Sequence, residues 1–219
     1  MKITISKENY LKTIAEAASE GEVVKAATLA RWLGVSPPAV TMAIKRLKRD
    51  ALLHVGNEGQ LTLTDAGREI ANRLLQRHHL IERMLTEVFG MEWYKVHDEA
   101  EQLEHAVSAD FEGRLIEKLG AKLACPHGNR VEHDTPQDRR ARGLQPLSEM
   151  RPSEAARVVS VFERDRKLLE YLDDLGIHPG AAVETISHNL DHSFTLRIAG
   201  VVVELDAAAA GKIWVGPVA

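Results

Sequence analysis

Apolar residues recur at helical spacing along the first half of the chain and fall into short alternating blocks along its last third. Tyr10, Leu11, Ile14, Ala17 and Ala18 predict a helix over residues 6–20, with Ser6 as N-cap and Gly21 as its stop. A second short helix is predicted over Ala26–Leu33, ended by Gly34. Ser36 caps a third, with Pro37 in the first turn, where its missing N–H is not needed, and Val40, Ile44 and Leu47 as the buried stripe. Leu53–Val55 and residues 60–63, joined by Gly56-Asn57-Glu58-Gly59, predict a β-hairpin. From Thr64-Asp65 a further helix carries Ile70, Leu74, Ile81, Leu85 and Val88 to Gly90. Val96, Ala100, Leu103, Val107, Phe111, Leu115 and Leu119 predict one long amphipathic helix over residues 96–119, closed by Gly120.

The texture then changes. Pro126, Gly128, Pro136, Gly143, Pro146 and Pro152 lie among Arg139, Arg140 and Arg142, so residues 126–153 read as a loop-rich, partly mobile linker. Beyond it, strands are predicted over residues 156–162, 182–187, 194–198, 201–205 and 212–215, with one helix over residues 166–175 and glycine turns at Gly180, Gly200 and Gly211. The pattern predicts a multidomain, mainly α chain: a winged helix-turn-helix over residues 1–73, a helical domain over 74–125, the linker over 126–153, and a small β-barrel over 154–219.

Charge refines this picture. The chain has 219 residues and a net charge of −4, which argues mildly against DNA binding. The distribution argues for it: Lys45, Arg46, Lys48 and Arg49 crowd one segment, while Asp98, Glu99, Glu101, Glu104, Asp110, Glu112 and Glu117 crowd another. The single cysteine, Cys125, excludes an internal disulfide. With no leader and no apolar run near the roughly 20 residues of a membrane span, the expectation is a soluble cytoplasmic protein with no membrane partner.

In a winged helix-turn-helix the third helix reads the major groove by its N-terminal turns. Ser36, Pro37, Pro38, Thr41 and Met42 would face the bases: hydroxyls can bond base edges, while Pro38 and Met42 can touch thymine methyls. Lys45, Arg46 and the hairpin would hold phosphates. A solvated basic helix is the plain alternative, but the glycine turn, the cap, the basic run and the hairpin agree on a DNA reader.

His97, Glu101, Glu104 and His105 share one sector of a helix, about 100° wide, beside the apolar stripe. Carboxylates on adjacent turns repel unless a proton or cation lies between them. His78 and Glu82 form a second i, i+4 pair on the preceding helix, and antiparallel packing would bring the sets together. Cys125-Pro126-His127 supplies a third candidate, weak by itself. A solvated face with fortuitous histidines would account for one such pair less awkwardly than for six donors in phase.

Arg77-His78-His79-Leu80-Ile81-Glu82, Val96-His97-Asp98-Glu99-Ala100-Glu101-Gln102-Leu103-Glu104-His105 and the opening Glu8-Asn9-Tyr10-Leu11 resemble the diphtheria toxin repressor family over almost the whole chain. The resemblance implies a winged helix, a helical metal-binding and dimerisation domain, and an SH3-like C-terminal domain. It implies a non-enzymatic, metal-dependent transcriptional regulator, a repressor that binds a palindromic operator as a homodimer and controls metal homeostasis genes. One implied metal site uses Glu101, Glu104, His105 and, from the first helix, Asn9. A second uses His78, Glu82 and His97, joined in manganese-responsive relatives by Cys125 and His127 and by an acidic residue of the C-terminal domain, Glu163 or Asp165. Manganese-type members carry glutamate at the position of Glu101 and iron-type members cysteine, which favours Mn(II), with Fe(II) next. Two departures stand out. Asn9 replaces the charged or sulfur ligand of the family, and Lys12 replaces a further acidic ligand of some manganese members. Metal binding through Asn9 would then tie the first helix to the long one and set the spacing of two recognition helices. The competing readings are a winged-helix regulator sensing a small organic ligand or redox state and, less favoured, a metallohydrolase.

Overall fold

The computed structural model describes residues 3–120, 124–132 and 134–218. The outermost ends of the expected domains, at 1–2 and 219, and residues 121–123 of the expected helical domain lie outside the described residues. Among the described residues no helix is long and apolar enough to cross a membrane.

The N-terminal unit follows the apolar periodicity closely. Helix α1 (Ile5–Ser19) is capped by Thr4 rather than Ser6, and α2 (Ala26–Leu33) ends at Gly34 in the left-handed conformation. Helix α3 (Pro37–Arg49) follows, then β1 (Leu53–Val55) and β2 (Leu61–Leu63) pair antiparallel. Leu11, Ile14, Leu29, Val40 and Leu47 are fully buried together, so three short amphipathic helices share one core that none could build alone.

Helix α4 (Asp65–Glu87) joins this unit to the next. Thr64 starts it: its hydroxyl accepts from the Gly67 amide at 3.1 Å and donates to the Ala51 carbonyl at 2.8 Å. A Cβ on Gly67 would lie 2.1 Å from the Leu52 carbonyl oxygen, so only glycine lets the helix start this close to the hairpin. Ala71 still belongs to the N-terminal core, whereas Ile81 and Leu85, three turns on, pack against Val96 and Ala100 of α5 (Val96–Leu103).

The expected single helix over residues 96–119 is two helices. Helix α5 closes at Glu104, and Ser108 caps α6 (Ala109–Leu119) by accepting from the Phe111 amide. A serine followed by Asp110 and Glu112 is a strong helix start, and it overrides a continuous apolar stripe. Glu104 and His105 therefore sit in a turn, aimed at α1.

Residues 126–153 are docked rather than loose. They carry α7 (Pro136–Ala141) and β3 (Gln145–Pro146), and Leu147 and Met150 are fully buried in the C-terminal core. Arg139 reaches Glu20, the C-cap of α1, at 3.2 Å while its guanidinium lies 5.1 Å from the Trp214 ring centroid. The C-terminal unit adds β4 (Ala155–Val161), α8 (Arg166–Asp174), β5 (Ala182–His188), β6 (Phe194–Ile198), β7 (Val201–Leu205), α9 (Ala207–Ala210) and β8 (Ile213–Pro217). Its six strands form one antiparallel sheet in the order β3-β8-β4-β5-β6-β7. The expected closed barrel is not found among the described residues. The edge strand β3 is two residues long and ends in Pro146, which has no N–H to extend the ladder.

One turn binds the sheet to the helices. Gly128 has φ +84°, and a Cβ there would lie 2.0 Å from the Val159 carbonyl oxygen, while its neighbour His127 accepts the Val161 amide at 3.0 Å. Gly128→Ala should therefore destabilise the protein by about 2 kcal/mol, read as a lower denaturant midpoint. An unchanged midpoint would show that this turn can move away from β4 at no cost.

Candidate metal centre

One helical turn separates His78 from Glu82 on α4, so both point to the same face. Both are fully buried, and α5 lays His97 against them. His78 Nε2 lies 3.1 Å from Glu82 Oε1 and 3.0 Å from His97 Nδ1, and His97 Nδ1 lies 3.3 Å from Glu82 Oε1. The two helices thus deliver the three expected donors to one point.

The turn that carries Cys125 and His127, and Glu163 two residues past the end of β4, complete the cluster. His127 Nδ1 is 3.4 Å from both Glu82 Oε1 and Glu163 Oε2. Cys125 Sγ is 3.2 Å from Glu163 Oε2 and 3.7 Å from His127 Nδ1, and Glu163 Oε1 is 3.9 Å from His97 Nδ1. His127 Nε2 donates to the Trp93 carbonyl at 2.8 Å, which turns Nδ1 into the cluster, and the Asn129 amide donates to Glu163 at 2.7 Å. Such outer partners are what fix ligand orientation in metal sites. Glu82 Oε2 and His97 Nε2 are buried without a hydrogen bond among the described residues. Among the described residues two donor sets share Glu82, one with His78 and His97 and one with His79, Cys125 and Glu163, and in each the ligand atoms lie within 4.8 Å of one another, a spacing that fits a divalent cation.

Two refinements concern neighbouring residues. Asp165 is not part of the cluster. It caps α8 by accepting from the Leu168 amide, and its other oxygen faces Lys212 at 3.5 Å. His79 was missed. It is buried with Nδ1 unpartnered, and its ligand atom lies within 4.8 Å of those of Glu82, Cys125 and Glu163. The i, i+3 spacing from Glu82 was the available signal.

Electrostatics show what the metal-free cluster relies on. Burial and Lys12 would lower the pKa of His78, but Glu82 and Glu104 raise it to about 9. Burial would likewise lower that of His127, and Glu82 and Glu163 raise it to about 10. Burial pushes Glu82 and Glu163 up, yet His78 and His127 hold Glu82, and His127 and His97 hold Glu163, well below the carboxylate range. Burial and the two carboxylates push the Cys125 thiol up, so its proton rests on the Glu163 side. Burial takes His79 down to about 4 and leaves it neutral.

The other expected set lies between α1 and the end of α5. His105 Nε2 is 2.6 Å from Asn9 Oδ1 and 3.5 Å from Glu104 Oε1, and His105 Nδ1 is 3.0 Å from Glu8 Oε2. Glu101 is not drawn to His105. It faces Arg164 at 3.1 Å and Lys12 at 3.9 Å. The buried Lys12 ammonium lies 2.8 Å from Glu104 Oε2, 3.0 Å from His78 Nδ1 and 3.9 Å from Glu16. Burial would lower the Lys12 pKa, but Glu16, Glu104 and Glu101 raise it overall.

On the far side of the N-terminal unit, Ser36, Pro37, Pro38, Thr41, Met42, Lys45 and Arg46 are all exposed on α3. Among the described residues Lys45, Arg46 and Lys48 make no ion pair, so their charge is available to phosphates.

Three family profiles match in sequence. They are the iron-dependent repressor N-terminal DNA-binding domain over residues 2–61, the iron-dependent repressor metal-binding and dimerisation domain over 64–132, and the FeoA domain over 145–217. The diphtheria toxin repressor of Corynebacterium glutamicum is 34% identical over 190 residues, which span 82% of this chain and 83% of that protein. The iron-dependent repressor IdeR of Mycobacterium tuberculosis is 39% identical over 124 residues, 57% of this chain and 54% of its own. Among solved structures, a manganese-dependent transcriptional repressor in complex with manganese superposes with a TM-score of 0.86 at 30% identity, covering 97% of this chain and all of that one. The apo form of the manganese-activated repressor ScaR gives 0.79 at 29% identity, covering 96% and 100%.

The protonated imidazoles yield a pH test. Ligation needs neutral imidazole and thiolate, so a cation entering at pH 7 must displace the protons of His78 and His127. Mn(II) added to weakly buffered protein should release at least about two protons per ion, and apparent affinity should rise about a hundredfold per pH unit between pH 6 and 8. Raised histidine values stabilise the metal-free fold fully below pH 6.5, and that contribution is lost as pH climbs through about 9 and 10. The melting temperature of the metal-free protein should fall over that window. Release of fewer than one proton per ion would remove these histidines from the site.

Proposed function

The chain belongs to the diphtheria toxin repressor family, and we propose that it represses metal homeostasis genes from a palindromic operator when Mn(II), or next Fe(II), is held by Glu82, Glu163, His78, His97, His127 and Cys125. It is a metal-dependent transcriptional repressor, and its DNA-binding and dimerisation domains make it a DNA-binding homodimer. The family assignment favours this reading over sensing of a small organic ligand or redox state and over metal-dependent hydrolysis.

The observation that carries the metal reading is the approach of six buried donors from α4, α5, the Cys-x-His turn and the segment just past β4. Six donors exceed the four that a zinc ion takes, and a set dominated by carboxylate and imidazole suits Mn(II) or Fe(II). A solved neighbour described as a manganese complex supports the order of preference. When bound, the ion supplies the positive charge that lets the Glu82 and Glu163 carboxylates share one buried site.

Glu163 transmits the consequence. Its neighbours both touch the DNA-binding unit: Phe162 packs edge-on against Trp32 of α2, ring centroids 6.2 Å apart, and the Arg164 guanidinium lies 5.1 Å from the same ring. Arg164 also donates to Glu16 of α1 at 2.8 Å. Fixing Glu163 onto Glu82 therefore fixes a three-residue clasp on α1 and α2, and with it the orientation of α3. In a dimer that orientation sets the distance between recognition helices, so operator affinity depends on it.

Operator affinity should fall about tenfold to a hundredfold when metal is chelated, the usual range of such coupling. Equal affinity with Mn(II), Fe(II) or chelator, measured by titration of labelled duplex, would sink the proposal. Glu163→Gln should hold the protein near its chelated affinity at any metal concentration.

Arg164→Ala separates binding from transmission. Its metal affinity should stay within about threefold of wild type while most of the metal-dependent gain in operator affinity disappears. A full gain in this variant would place the transmission elsewhere than the 162–164 clasp.

A further inference from the structure

The contact between α1 and the end of α5 is the place where the family resemblance calls for a metal, and the residues there do not fit one. Lys12 lies one turn after Glu8 and one before Glu16 on the α1 face turned to α5. It is 3% exposed. Its ammonium is surrounded by Glu104 Oε2 at 2.8 Å, His78 Nδ1 at 3.0 Å, and one oxygen each of Glu16 and Glu101 at 3.9 Å. Three carboxylates around one positive centre are the donors that would otherwise collect a divalent ion.

The remaining donors are also engaged. Both ring nitrogens of His105 face α1 oxygens, Asn9 Oδ1 at 2.6 Å and Glu8 Oε2 at 3.0 Å. Glu101 is held by Arg164. Asn9, Lys12, Glu101, Glu104 and Arg164 line a single polar cavity, so two fixed cations already stand in its wall. A divalent ion entering it would meet like charge at contact distance while gaining, in Asn9, a ligand without charge.

We propose that Lys12 is a built-in cation that takes the place of metal between α1 and α5, so that each protomer binds metal only at the Glu82–Glu163 cluster. The join between α1 and α5 is then present in metal-free and metal-loaded protein alike. Only the clasp that carries Glu163 is conditional. The inference rests on the reading of the Glu82–Glu163 cluster as the metal site.

The test is metal stoichiometry on the full-length protein by equilibrium dialysis against Mn(II) with elemental analysis. Wild type should bind one ion per protomer, and His105→Ala should still bind one. Lys12→Ala should bind two, and the double variant Lys12→Ala/His105→Ala should return to one. The melting temperature of Lys12→Ala should be lower than that of wild type without metal, and Mn(II) should raise it further than it raises that of wild type. If Lys12→Ala does not fold without metal, recovery of folded protein on adding Mn(II) supports the proposal, and the His105→Ala count decides independently. Two ions in wild type, one of them lost in His105→Ala, would overturn it, as would a folded Lys12→Ala that gains none. No ion in wild type would instead overturn the reading of the Glu82–Glu163 cluster, and a gain of one in Lys12→Ala would still support the role of Lys12.

Discussion

Glu82 is a carboxylate with no exposure to solvent, placed where the helical domain meets the C-terminal sheet. A buried carboxylate without a partner carries a penalty of several kcal/mol, so its surroundings must supply positive charge. In the metal-free molecule His78 and His127 supply it by staying protonated. The arrangement is therefore loaded with either protons or a cation, and never with neither. Because Glu163 must lie near Glu82 to share this charge, the docking of the C-terminal domain depends on the same balance. On the proposed reading, the switch is a competition for one pair of buried carboxylates.

The two ends of α4's neighbourhood solve the same electrostatic problem differently. At the Glu82–Glu163 end the compensating charge is exchangeable, because an imidazolium can release its proton to solvent when a metal takes its place. At the Glu104–Glu101 end the charge belongs to Lys12 and cannot leave. An ammonium brings one charge and three donors but no dependence on the metal content of the cell. On the proposed reading, a permanent join holds α1 to α5, while the clasp of Phe162, Glu163 and Arg164 on Trp32 and Glu16 answers to metal.

Much of this was legible in the sequence, and the exceptions have physical reasons. Apolar periodicity located α1 to α4 and the hairpin because those helices each bury one stripe against a shared core. It failed at residues 104–108, where a cap with acidic residues behind it outweighs a continuous stripe. The i, i+4 spacing of His78 and Glu82 and the pairing of Cys125 with His127 pointed to true neighbours. Spacing could not choose between Glu163 and Asp165, because which of them turns inward depends on where α8 is capped. Nor could it foresee Lys12 among the acidic residues. A lysine on a helix face normally reads as solvated, and only the packing of α1 against α5 shows that this one is enclosed. The proline- and arginine-rich stretch read as a linker for a similar reason: Leu147 and Met150 are too few to register as a periodic element, yet both are fully buried.

The net charge of −4 argued against DNA because it counted charges without asking where they lie. Glu82, Glu104 and Glu163 are buried and face His78, His127 or Lys12, so their fields are largely cancelled within a few ångströms. What a duplex meets is the exposed face of α3, where Lys45, Arg46 and Lys48 stand without acidic partners among the described residues. The acidic side chains that pull the bulk charge below zero include those of the proposed cation site in the interior. Metal dependence and DNA binding thus draw on opposite signs of charge, separated by the length of α4 and its neighbours. The same chain can hold a cation at one end and an anion at the other, provided that the helices between them stay packed.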